Sequence, residues 1–73
     1  MANVKYKIEI TLEDKGWSVE EAREREKQNE YQYSGSVYIE GQFCKWSEGG
    51  SADYVLKELY ESMTNYLHQE GFN

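Results

Sequence analysis

The last third of the chain, Ser51 to Gln69, constrains the fold most strongly. On a helical wheel, Ala52, Val55, Leu56, Leu59, Met63, Tyr66 and Leu67 form one apolar stripe, with Asp53, Lys57, Glu58, Glu61, Thr64, Asn65 and His68 opposite. Ser51 stands where an N-cap belongs, Asp53 suits the first turn, and Gly71 sits where a helix commonly ends. A helix with one apolar stripe needs a surface to cover, and the upstream sequence supplies alternating patterns that fit a sheet.

From Val4 to Glu13 the pattern has a period of two: Val4, Tyr6, Ile8, Ile10 and Leu12 on one face, Lys5, Lys7, Glu9, Thr11 and Glu13 on the other. The Asp14-Lys15-Gly16 break then reads as a hairpin, with Trp17 and Val19 on the apolar face of the returning strand. Residues 18–30 admit two readings. Ser18 and Glu21 match a capping box, and the Glu- and Arg-rich run that follows favours a helix. Yet no apolar stripe continues beyond Ala22, and a helix polar all round gains little from packing. We favour the strand, turning near Gln28-Asn29. Tyr31 to Phe43 alternates again, with Tyr31, Tyr33, Gly35, Val37, Ile39, Gly41 and Phe43 sharing a face and Gln32, Ser34, Ser36, Tyr38, Glu40 and Gln42 the other. Lys45 to Gly50 reads as a loop.

These elements imply a single α+β domain over residues 1–73. A three-stranded antiparallel sheet is covered on one face by a single C-terminal amphipathic helix, in the order β-β-β-α. Its core would be Ile8, Ile10, Leu12, Val37, Ile39, Leu56, Leu59 and Met63, with Leu59 central. This order is similar in topology to two small families. Val37-Tyr38-Ile39-Glu40-Gly41 followed by the Ser51-to-Gln69 helix resembles the double-stranded RNA-binding domain, which carries a basic cluster where this chain has Ser51-Ala52-Asp53-Tyr54. The short sheet followed by a helix also resembles the HicB-like antitoxin domain. Either resemblance implies a nucleic-acid-binding or antitoxin role.

Composition points elsewhere. Eight basic residues stand against fourteen acidic ones, giving a net charge of −6. Phosphate binding draws its affinity from clustered Lys and Arg, and this balance lacks that footprint. No unbroken apolar run is longer than Tyr54–Leu56, so no membrane span is expected, and Lys5 and Lys7 precede no apolar stretch of a signal peptide. One cysteine, Cys44, suits a reducing cytoplasmic setting.

No catalytic set can be assembled. Cys44 and His68 have no spacing that marks a nucleophilic dyad, and His68 fits the role of a cation near a helix C-terminus. No metal site is expected, because one His and one Cys do not make a closed ligand set, and the glutamate pairs read as solvated faces. Gly49-Gly50-Ser51 lacks the lysine of a phosphate loop and reads as a turn. No cofactor is expected.

The remaining signal is aromatic. Tyr54 lies on the polar side of the helix near Glu58 and Glu61, Tyr38 lies on the polar side of its strand, and Trp46 falls in the loop. Exposed Tyr and Trp bury large area at low entropic cost and often anchor interfaces. The leading expectation is a small acidic non-enzymatic protein-binding module, an inhibitor or regulator of the kind phages direct at host defence (anti-CRISPR or anti-restriction-like). It would use Tyr54, Glu58 and Glu61 on the helix and Tyr38 and Glu40 on the sheet to occupy a basic or nucleic-acid-binding surface of a larger partner. A rival is direct nucleic-acid binding by the arm around Arg23, Arg25 and Lys27. A homodimer through a sheet edge or the tyrosine face is compatible with either.

Overall fold

Alternation, capping and turn chemistry resolve into five elements in the computed structural model, which describes Asn3 and residues 5–69. They are β1 (Ile8–Asp14), α1 (Val19–Glu26), β2 (Tyr33–Ile39), β3 (Gln42–Gly49) and α2 (Ala52–Gln69). The strands form one antiparallel sheet of order β1-β2-β3, followed by the C-terminal helix, as the α+β reading expects. Val4, Glu70 and Gly71 lie outside the described residues.

Two expectations about the strands are corrected. Residues 18–30 do not form a strand: Val19–Glu26 is a helix, interposed between β1 and β2. Its local signals outweigh its missing apolar stripe. The Ser18 hydroxyl accepts from the Glu21 N–H at 3.2 Å, and Arg25 pairs with Glu21 one turn back at 3.6 Å. Asn29, at φ 63°, closes the C-terminal end, with the Glu30 N–H donating to the Arg25 carbonyl at 3.0 Å. The Arg25 guanidinium also stacks 4.9 Å from the centre of the Trp17 ring. No α1 residue is buried, and the radius of gyration, 15.1 Å, exceeds the roughly 11 Å of a compact chain this long.

Tyr31–Phe43 is likewise not one strand. Glu40 (φ 51°) and Gly41 (φ 77°) make a two-residue turn with both central residues left-handed, the geometry that matches strand twist in a tight hairpin. The segment read as a loop, Lys45 to Gly50, then belongs largely to β3. A register shift opposite Val37 and Tyr38 inserts Cys44 as an extra residue in β3. The turn sets Phe43 opposite Tyr38, on the face away from α2, rather than with Val37 and Ile39, and beyond the shift Trp46 stands opposite Ser36 on that same face.

α2 starts as read, with the Ser51 hydroxyl accepting from the Tyr54 N–H at 3.2 Å. Its seat is set by two glycines. A Cβ on Gly35 would lie 3.1 Å from Leu59 Cδ1 and 3.2 Å from Val55 Cγ1, and one on Gly49 would lie 2.5 Å from Tyr54 Cδ1. The helix therefore settles over β2 and β3, and the core is Val37, Ile39, Val55 and Leu59, with Tyr33, Cys44 and Met63 packed around it. Ile8, Ile10 and Leu12 do sit on the covered face, opposite Ile39, Val37 and Gly35. The helix does not reach across to them, so they and Leu56 remain exposed, contrary to the expected core.

Candidate functional site

Pairing fixes which side chains share the face turned away from α2. Residues directly opposite one another in an antiparallel ladder point the same way. Glu9 faces Tyr38, and Tyr38 faces Phe43; Thr11 faces Ser36, and Ser36 faces Trp46; Glu13 faces Ser34, and Ser34 faces Glu48. Among the described residues no element packs on this face. Tyr38, Phe43 and Trp46 are 40%, 58% and 51% exposed. The Tyr38 and Phe43 rings meet edge to face, 5.7 Å between centres at 75°.

The surrounding polar groups are partly engaged. Ser34 Oγ donates to Glu13 Oε1 at 3.3 Å, and Lys15 Nζ stands 3.7 Å from the same oxygen. Lys7 Nζ is 3.7 Å from Glu9. At the hairpin end, Glu40 Oε2 accepts from the Lys7 N–H at 3.1 Å, which turns that side chain back onto its own sheet. All these pairs are exposed and contribute little to stability.

The helix residues form a second, separate group. Tyr54 lies over Gly49, and its hydroxyl donates to Glu58 Oε1 at 3.5 Å. Glu61 continues the same side of α2 one turn on. Tyr31, Glu48, Gly49, Gly50 and Tyr54 line a shallow open cleft beside them. The fold thus joins Tyr54 with Glu58 and Glu61, and Tyr38 with Phe43. It puts the two groups on opposite sides of the sheet, and Glu40 at the end remote from Gly49. Glu48 alone belongs to both, facing Ser34 on the open side and lining the cleft.

Phe43 is hidden in the alternation because the two-residue turn at Glu40-Gly41 reverses its parity, and the inserted Cys44 does the same for Trp46. Trp46 was recognised as exposed, but it lies on β3 and not in a loop. The one available signal for both was the Glu40-Gly41 dipeptide, a weak one because Glu seldom adopts positive φ.

Two other candidates gain no chemistry from their surroundings. Cys44 Sγ donates to the Ser62 carbonyl at 3.8 Å, and burial pushes its thiol up from the ordinary value, the opposite of an activated nucleophile. Among the described residues no three His, Cys, Asp or Glu side chains are grouped to hold a metal, and no helix is long and apolar enough to cross a membrane. In the arm, Arg25 is held by Glu21, Glu30 and the Trp17 ring, and Lys27 by Glu24 at 3.2 Å. No family model matches the chain, and no curated protein or solved structure matches it.

Proposed function

We propose that this chain is a non-enzymatic protein-binding module, an inhibitor or regulator that works in the cytoplasm by docking an acidic, ring-bearing surface on a basic surface of a larger protein. The observation that carries this reading is the uncovered sheet face, where Tyr38, Phe43 and Trp46 stand exposed among Glu9, Glu13 and Glu48. Rings of this size anchor interfaces, and flanking carboxylates steer a cationic partner and select against anionic ones. Carboxylates at a basic groove can stand where phosphates would, so a nucleic-acid-binding enzyme is the partner class that fits best, as in phage inhibition of host defence. The arm around Arg23 supports the nucleic-acid alternative poorly, because its neighbouring cations Arg25 and Lys27 are already engaged by carboxylates.

The test is affinity capture with three baits: wild type, Phe43→Ser with Trp46→Ser, and Tyr54→Ala with Glu58→Lys and Glu61→Lys. The reading expects the sheet variant to lose a partner whose nucleic-acid binding the wild type blocks. If both variants keep every partner, or the wild type shifts RNA or DNA in a salt-sensitive gel assay, the reading fails.

A further inference from the structure

The ladder between β1 and β2 shows which backbone groups of β1 remain unused. The Glu40 N–H donates to the Lys7 carbonyl at 2.8 Å, and the Lys15 N–H donates to the Gln32 carbonyl at 3.0 Å. In an antiparallel pair, residues that turn both backbone groups toward the partner alternate with residues that turn both away. Residues 7, 9, 11, 13 and 15 therefore face β2. Ile8, Ile10 and Leu12 aim their N–H and C=O groups at the free edge, where no described strand lies. The same three residues carry the exposed apolar strip, at 38%, 48% and 40%. Tyr54 is seated on β3, so the opposite flank of α2, with exposed Leu56, turns toward this strip. An open edge and an apolar strip on one strand is an arrangement that soluble proteins usually avoid.

We propose that a second copy of this chain covers β1, pairing antiparallel about a two-fold axis with Ile10 opposite Ile10 of the other copy. Charge selects this register from its neighbours. Centring the axis on Ile10 sets Lys7 opposite Glu13 twice, Glu9 opposite Thr11, and Ile8 opposite Leu12, with Lys5 opposite Lys15 only beyond the ends of the strand. Moving the axis to Glu9 sets Glu9 against itself. Moving it to Thr11 sets Glu9 against Glu13 and Lys7 against Lys15. A slip of one residue turns the apolar strip against the charged face. The Ile10 register also joins two backbone hydrogen bonds at each of three pairs: 8 with 12, 10 with 10, and 12 with 8. The result is a six-stranded sheet with both α2 helices on one side and both sets of exposed rings on the other. The proposal is independent of the partner reading.

Sedimentation equilibrium from micromolar to millimolar chain concentration tests it, with amide exchange as the register readout. The expected result is a monomer–dimer equilibrium in which the Ile8, Ile10 and Leu12 amides slow as concentration rises. Ile10→Pro removes an N–H that no intramolecular bond uses, so it should leave the circular dichroism of the monomer intact and weaken dimerisation about ten- to a hundredfold. Lys7→Glu should weaken it about tenfold, and adding Glu13→Lys should restore it. A wild type that stays monomeric throughout, leaving the strip to a strand of some other protein, overturns the proposal. So does a dimer indifferent to Ile10→Pro and to the charge exchange.

Discussion

Replacing Gly35 by Ala adds one methyl group at the point where three elements meet. Gly35 has no positive φ, so alanine suits the backbone there, and in the open it would be favoured by about 0.4–1 kcal/mol through the unfolded chain. The space decides otherwise. The new Cβ would lie 2.6 Å from the Thr11 carbonyl oxygen, 3.1 Å from Leu59 Cδ1 and 3.2 Å from Val55 Cγ1. The closest atom is backbone in the adjoining strand, held by the ladder, so a rotamer change cannot relieve it. Overpacking of this kind costs about 1–3 kcal/mol, and a backbone contact sits at the upper end, leaving a net loss of about 1–2.5 kcal/mol. A domain this small has roughly 4–11 kcal/mol in total, and each kcal/mol moves its melting temperature by about 4–8 °C. Thermal unfolding by circular dichroism should therefore fall by about 5–15 °C. Gly41 is the control, because its φ is 77° and nothing lies within 4 Å of a Cβ there. Gly41→Asn should be nearly neutral, since Asn tolerates the left-handed region, whereas Gly35→Asn should unfold the chain. A Gly35→Ala protein as stable as wild type would show that β1 and α2 do not close on Gly35 as these distances require.

Leu59→Ala should cost about 2–5 kcal/mol in a urea titration and largely unfold the chain, while Leu56→Ala should cost well under half as much because its side chain is exposed. Gly49→Ala should destabilise by displacing the Tyr54 ring, and Tyr54→Ala should relieve most of that cost in a double-mutant cycle. Burial raises the Cys44 thiol, so its contribution to stability is full below the ordinary value of 9.0 and is lost as pH rises beyond it; its reaction with a disulfide reagent should be slower than that of the urea-unfolded chain. The Asp14 carboxyl is lowered by the Gln32 side-chain amide and then by the Gly16 N–H. Its contribution is therefore present above 3.8 and fades as pH falls through the lower folded value, and Asp14→Asn should flatten the acid limb of the unfolding curve.

What could be read from the residues alone was the periodicity, and what could not was decided by single backbone events. α2 was legible because its stripe and its Ser51 cap agree. The face of β1 was also legible, since Ile8, Ile10 and Leu12 do line up with Ile39, Val37 and Gly35. Their burial was not, because it depends on where Gly35 and Gly49 let the helix settle. A hairpin at Glu40-Gly41 divided an alternation that runs unbroken in sequence and so set Phe43 on the open face, and one inserted residue, Cys44, then put Trp46 there too. For residues 18–30 the capping box predicted correctly, and the weak apolar stripe misled. The stripe argues only against a packed helix, and α1 packs on nothing larger than the Trp17 ring. The site shows the same division: Tyr54 with Glu58 followed from helical spacing, whereas Phe43 beside Tyr38 required a two-residue turn that Glu40-Gly41 announces only weakly, and Trp46 on that face required a bulge that no pattern announces.

The thin core and the open β1 edge are two consequences of one placement. A helix seated over β2 and β3 buries Val37, Ile39, Val55 and Leu59 fully but leaves most of β1 uncovered. Burying aliphatic area on β1 against a second copy would add to the small favourable total of a domain this size, so melting temperature should rise with chain concentration. That linkage couples the Gly35 experiment to the edge of the sheet. The atom Gly35→Ala strikes first is the Thr11 carbonyl, in the strand whose far side would pair. A variant that pushes β1 outward should therefore lose dimer affinity as well as monomer stability, and its melting temperature should depend less on concentration than that of the wild type. Met63→Ala, a loss of core packing one turn of α2 beyond the Leu59 that meets Gly35, should lower the curve without changing that dependence.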